Sequence, residues 1–187
     1  MIKILNTKVN KKGIPLNYFY FEMIEDYPSY MALDENIPTE YVIKYAINEF
    51  KKRKTINVIK NRDFKTIDVV YFGQWNTFGV NKKFKDIFES KLDKAYFFKT
   101  NHENYWIMVV DNVLDCIDYN ASNLIYDNND LRPYTYQRCS TIVIDEKQVK
   151  GQLIFSTLQD PQITFCTEEF IKMCEQYKIK NVVFEDF

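Results

Sequence analysis

The stretch from Thr164 to Phe187, TFCTEEFIKMCEQYKIKNVVFEDF, decides how the chain reads. Thr167 followed by Glu168 and Glu169 is a helix start, because a hydroxyl at the cap and acids in the first turn complement the free N–H groups and positive end of a helix. Phe170, Met173 and Cys174 follow at helical spacing, and Val182 to Phe184 is a strand-sized apolar run. The same pattern occurs earlier. Moving the chain by 86 positions lays Asn81 to Phe98, NKKFKDIFESKLDKAYFF, over Thr167 to Phe184 without a gap. Phe84 falls on Phe170, Ile87 on Met173, Phe88 on Cys174, and Tyr96-Phe97-Phe98 on Val182-Val183-Phe184. Two related helix–strand units, 81–98 and 167–184, are predicted, with Phe170, Met173, Cys174, Val183 and Phe184 buried against a sheet.

Working outward, Tyr105 to Val110, YWIMVV, is the most continuous apolar run and reads as a central strand covered on both faces. Val113 to Ile117 continues or pairs with it, Asp118 to Ser122 is a turn closed by side-chain oxygens, and Thr141 to Ile144 and Leu153 to Leu158 are further strands. Upstream, Asp68 to Phe72 is a strand, and Gly73 and Gly79 bracket a shaped loop that carries Trp75. Ile43, Ala46, Ile47 and Phe50 recur at helical spacing behind Thr39. Residues 55–65 are polar and basic and read as a connector. Ile2 to Leu5 and Leu16 to Ile24 read as two strands of a hairpin. The fold class is α+β: a mixed, largely antiparallel sheet with about three helices, in one domain spanning 1–187.

Composition excludes more than it suggests. Lys plus Arg is 25 and Asp plus Glu is 26, a net charge of −1, which announces neither a nucleic-acid binder nor an acidic tail. With 46% hydrophobic and 17% aromatic residues the chain can build a large aromatic core without metals or disulfides. Cys116, Cys139, Cys166 and Cys174 lack C-x-x-C spacing and read as reduced thiols of a cytoplasmic protein. MIKILNTKVNKKG turns polar after Leu5, unlike a signal peptide, and no segment approaches the ~20 apolar residues of a membrane span.

No legible active site emerges, and neither cofactor nor metal is expected. His102, the single histidine, lies in the polar Thr-Asn-His-Glu-Asn loop and reads as an exposed turn residue. Asp111, Asp115 and Asp118 are the best carboxylate cluster. Asp111 and Asp115 would share a face if one strand carried both, and such a pair could do acid–base work, although strand-end turns collect aspartates anyway. The basic run Lys51 to Lys54 with Lys60, Arg62 and Lys65 would touch nucleic acid if folded onto one face, and a solvated helix end explains it equally well. Trp75, and Tyr126 with Tyr134 flanking a polar 127–133 loop that holds Asp127 and Asp130, are the partner-binding candidates, since loop aromatics are typical interface anchors.

One resemblance narrows this. Tyr105 to Ser122 and Ile142 to Phe187 resemble the immunity proteins of bacterial polymorphic toxin systems, a former domain-of-unknown-function family. The matching positions are Tyr105, Asp115, Asp118, Ser122, Gly151, Phe155, Thr167, Glu168, Phe170 and Phe184, with Asn181 where glycine is commoner. The similarity covers about 68–187, so 66–187 is the family-like portion and 1–65 carries no such signature. It implies a non-enzymatic protein that binds and neutralises a cognate toxin domain. It assigns no binding residues. Two other classes stay open on the residues themselves: a nucleic-acid-binding module using 51–65, and an enzyme using the aspartate cluster.

Overall fold

Both predicted helix–strand units are present in the computed structural model, which describes residues 1–13, 15–21, 39–62, 67–72, 76–126, 136–159 and 163–186. In chain order the elements are β1 (Ile2–Thr7), β2 (Phe19–Phe21), α1 (Thr39–Lys51), β3 (Val58–Lys60), β4 (Val69–Tyr71), β5 (Thr77–Asn81), α2 (Lys82–Phe88), β6 (Ala95–Lys99), β7 (Tyr105–Val110), β8 (Val113–Leu114), β9 (Asn123–Tyr126), β10 (Tyr136–Thr141), β11 (Ile154–Thr157), β12 (Phe165–Thr167), α3 (Glu168–Gln176) and β13 (Val182–Glu185). Among the described residues the fold is therefore α+β with three helices, and the strands sort into two larger sheets and two ribbons. One sheet runs β4-β5-β7-β6, all antiparallel; the other runs β13-β1-β12-β11-β8, antiparallel except for β8 beside β11. The ribbons are β2-β3 and β9-β10.

The repeat is a repeat of topology. β5 and β6, joined by α2, flank β7; β12 and β13, joined by α3, flank β1. The pairing register matches as well: Asn81 faces Tyr105 as Thr167 faces Ile2, and Ala95 faces Val110 as Val182 faces Thr7. The offset of 86 that holds up to the helices thus becomes 87 in the strands, because the α3–β13 connection is one residue longer. That connection turns through Lys178 (φ 50°) and Asn181 (φ 72°), and the shorter one through Lys94 (φ 48°). Asn181 is the residue type that best tolerates a left-handed backbone after glycine. One extra residue flips a strand's faces. Hence Val182 and Phe184 meet the core as Ala95 and Phe97 do, and the expected burial of Val183 in that core is not found.

The two units belong to different sheets and pack on each other, rather than both on one sheet. Phe84 and Phe88 of α2 meet Phe170 of α3 at ring-centroid distances of 6.5 and 5.1 Å, and Phe170 meets Phe184 at 6.4 Å. Val80, Met108 and Val110 from the first sheet and Leu5, Ile154 and Cys166 from the second complete this core. Burying so many aromatic faces at once supplies the dominant favourable term for this interface. The opposite face of the first sheet, Val70, Phe72, Ile107 and Val109, packs on Phe19, Val58 and the α1 stripe Ile43, Ala46, Ile47 and Phe50, so β7 is covered on both sides as its unbroken apolar run predicted.

Several local expectations are corrected. Ile2–Thr7 does not pair with Phe19–Phe21: past β1 the chain makes only a short antiparallel turn, with a Val9–Pro15 bridge and Leu16 N donating to the Lys8 carbonyl at 2.9 Å, while β1 itself lies between β13 and β12 in the second sheet and β2 pairs with β3; residues 22–24 of the expected strand fall outside the described residues. Residues 55–65 are more than a connector, because Ile56 and Val58 are buried and β3 forms within them. The β2-β3 ribbon bridges both edges of the first sheet, at Tyr18–Tyr71 beside β4 and at Ile56–Thr100 beside β6. Gly79 lies inside strand β5, where a Cβ would stand 2.3 Å from Val70 Cγ2 and 2.4 Å from Phe19 Cδ2, so it serves close packing rather than a loop. β8 pairs with β11 and does not extend the β7 sheet, and Leu153 lies just before β11. Asn81 caps α2 as expected, its Oδ1 accepting from Phe84 N at 2.9 Å. Thr167 occupies the equivalent position without capping; its hydroxyl donates to the Gln152 carbonyl at 2.9 Å.

Candidate functional site

Of the five partner-binding candidates only Tyr126 lies among the described residues, together with the residues that flank the other four. Trp75 lies between β4 and β5, and Trp75, Asp127, Asp130 and Tyr134 all fall outside the described residues. Beside Trp75, Asn76 is buried with φ 49°, and its backbone carbonyl accepts from Val110 N at 2.9 Å. Its side chain donates to Ser156 Oγ at 2.9 Å and accepts from Thr164 Oγ1 at 2.8 Å. The residue that ends the Trp75 loop is therefore tied to both sheets. Tyr126 ends β9, its backbone paired with Tyr136 of β10, so the ribbon brings together the two ends of the 127–135 segment. The ribbon's base is held by the Ile117–Ile144 bridge, by Asp118 N donating to Val143 O at 2.8 Å, and by Val143 N donating to Ser122 Oγ at 2.8 Å.

The aspartates do not form one site. The chain leaves the first sheet at residues 111–112 and enters the second, so Asp111 and Asp115 do not share one strand, the condition under which they would point to one face. Asn112, 1% exposed, makes this crossing possible: its Nδ2 donates to the Ile154 carbonyl at 2.9 Å and to Gln152 Oε1 at 2.7 Å. Asp115 accepts from the exposed Tyr119 hydroxyl at 2.9 Å and from Gln159 Nε2 at 3.3 Å. Asp118 Oδ1 accepts from the Asn120 and Ala121 amides at 3.0 and 3.1 Å, which is the side-chain-closed turn expected. Among the described residues no three of His, Cys, Asp and Glu are placed to hold a metal ion.

His102 is not simply an exposed turn residue. It is half-buried, its ring stacked on Phe19 at 5.6 Å. Cys116, Cys166 and Cys174 are free and buried, and burial pushes each thiol up to about 12, which keeps them protonated and unreactive. The side chain of Cys139 is outside the described ones. The basic region is dispersed in its roles: Lys51 lies 4.9 Å over the Tyr96 ring, Lys52 pairs with Glu49, and Arg62 Nε donates to Asn17 Oδ1 at 3.1 Å. Lys65 is outside the described residues.

One important residue was not legible beforehand. Asp68 is 4% exposed, and its carboxylate accepts from Asn81 Nδ2 at 2.7 Å, Lys180 N at 2.7 Å and Lys83 Nζ at 3.0 Å. It thus ties β4 to the cap of α2 and to the α3–β13 connection. Its negative charge, after the larger effect of burial, also helps to push the Tyr105 hydroxyl up to about 12. Nothing in the sequence marks it, because its three partners lie 13, 15 and 112 residues away.

With the geometry in place, comparison with known proteins supplies the context. No curated protein matches the chain. A family model described as "Immunity protein family" matches residues 73–187, from the Trp75 loop through β13. The matched segment leaves out β1, yet β1 is the strand that β12 and β13 share, so the N-terminal residues complete the matched half. Since the match spans more than half of the sequence, the chain belongs to the Imm11 immunity protein family.

Proposed function

We propose that this chain binds a cognate bacterial toxin domain and neutralises it by protein–protein contact, without a reaction of its own. Family membership over residues 73–187 carries the reading, because a fold alone hosts many functions. The chemistry of the described residues is consistent with a preformed surface. Asp115 and Asp118 are engaged with Tyr119, Gln159 and a turn, and the buried thiols are held protonated. We assign contact to Trp75 and to Tyr126, Asp127, Asp130 and Tyr134. Aromatic side chains provide large contact area, and acids steer the encounter with a basic partner. Pinned loop bases at Asn76 and on the β9-β10 ribbon lower the ordering cost of binding. The chain works as one domain in the cytoplasm of cells exposed to the toxin. Co-expression tests this. The toxin domain encoded beside this chain arrests growth alone, and the chain restores growth; equal killing with and without the chain refutes the reading.

A further inference from the structure

A cleft of about 550 Å³ opens where the segment after β1 meets the α3–β13 connection, lined by Lys8, Lys178 and Lys180 together with Leu16, Ile67 and Val182. Lys83 pairs with Asp68 at 3.0 Å and Lys172 with Glu168 at 2.8 Å, whereas the described lining of the cleft holds three lysines and no acid. The three cleft lysines are exposed and pair with no carboxylate among the described residues. Asp68, the acid tied to this wall, is already met by Lys83, Asn81 and the Lys180 amide. The wall itself is fixed: Lys180 N donates to Asp68 at 2.7 Å, Asn181 Nδ2 to the Val69 carbonyl at 2.8 Å and Ile179 N to the Cys174 carbonyl at 2.8 Å, while Lys178 and Asn181 are held at positive φ.

We infer that this cleft is a second recognition site of the chain, receiving an acidic segment of the toxin. The inference rests on the immunity reading above. Three ammonium groups with no carboxylate among the described lining residues, beside apolar side chains, suit carboxylates carried on a peptide, whose apolar neighbours take the Leu16, Ile67 and Val182 surface. A nucleic acid would need a longer cationic track than the three lysines of this cleft supply. The site also joins residues from both sides of the matched segment: Lys8, Leu16 and Ile67 precede it and Lys178 to Val182 lie within it. The N-terminal residues outside the matched segment can therefore contribute to partner choice at this site.

The test measures affinity for the toxin domain encoded beside this chain, at low and high salt, for three proteins: wild type, the cleft variant Lys8→Gln/Lys178→Gln/Lys180→Gln, and the control Lys52→Gln/Lys82→Gln/Lys172→Gln, which loses the same charge from exposed sites elsewhere. An unchanged urea midpoint checks that the cleft variant folds. The cleft variant is expected to bind about tenfold or more weakly at low salt and to lose most of the salt dependence, with the control close to wild type. If wild type itself fails to bind the toxin, both readings fall. If wild type binds and the cleft variant matches the control, the cleft assignment fails and the immunity reading stands. A phosphate-induced rise in melting temperature that the cleft variant loses, with toxin affinity unchanged, gives the cleft to a small anion and also overturns the inference.

Discussion

Replacing Asp68 with alanine tests the tertiary logic most directly. The carboxylate is buried and satisfies three donors, and its removal affects each differently. The Lys180 amide loses a charge-assisted bond with no alternative acceptor in place, a cost of roughly 1–3 kcal/mol. The Asn81 amide loses its orienting partner, and because the same side chain caps α2 the effect extends to the helix start, about 0.5–1.5 kcal/mol more. Lys83 is 42% exposed and keeps the Lys178 carbonyl at 2.9 Å, so its share is small, on the order of 0.5 kcal/mol. Together these predict a loss of about 3 kcal/mol, which at a urea dependence of ~2 kcal/mol/M moves the unfolding midpoint down by roughly 1.5 M. Asp68→Asn keeps one acceptor oxygen and falls between. Lys83→Met, which removes only the exposed partner, shifts the midpoint by less than ~0.5 M. Urea unfolding followed by tryptophan fluorescence and by circular dichroism measures all three. A midpoint for Asp68→Ala within ~0.3 M of wild type, with the slope unchanged, would refute the reasoning.

Two further outcomes follow from packing and burial. Gly79→Ala places a methyl group within 2.4 Å of atoms on Val70 and Phe19, both essentially without solvent exposure and unable to swing aside, and lowers stability by about 1–3 kcal/mol in the same urea assay; a neutral or stabilising result would mean the β2-β3 ribbon is not seated on β5. The thiols of Cys116, Cys166 and Cys174 stay silent toward a disulfide reagent at pH 8 in the native protein, leaving at most Cys139 to react, while all four react in guanidinium. Because burial raises the native pKa of these three groups from 9.0 to about 12, the unfolded chain releases protons first as pH rises. Stability is therefore full below pH 9 and falls between pH 9 and 12, by up to about 1.4 kcal/mol per pH unit for each thiol; a melting temperature flat across that range would contradict their burial.

Periodicity and caps made much of the fold readable. The α1 stripe Ile43, Ala46, Ile47 and Phe50, the Asn81 cap and the doubly covered β7 all came from patterns within a dozen residues, where sequence neighbours are also spatial neighbours. β5 carries no clear strand pattern, because Gly79 and polar Thr77 dilute its apolar character, and β3 pairs through only three residues. His102 looked exposed because its loop is polar, whereas Phe19, 83 residues earlier, covers its ring. For the candidate site, sequence supplied residue types suited to binding, and the structure located the bases of their loops. The lysine cleft had no sequence signature at all, since Lys8 and Lys180 meet only through the pairing of β1 with β13.

By itself the sequence determined that the chain is α+β, that it contains a repeated helix–strand unit, and that its closing half carries the immunity-family pattern. These are consequences of local periodicity and of residue order, which need no knowledge of what lies across the core. Only the tertiary structure decided that the two units belong to different sheets and bury Phe84, Phe88 and Phe170 against each other, and that β1 is the shared strand of the second. It also decided that one extra residue before β13 turns Val182 and Phe184, not Val183, into the core. The physical reason is the two-residue period of a strand: which face is buried depends on register against a distant partner, and register is set by pairing that no local pattern encodes.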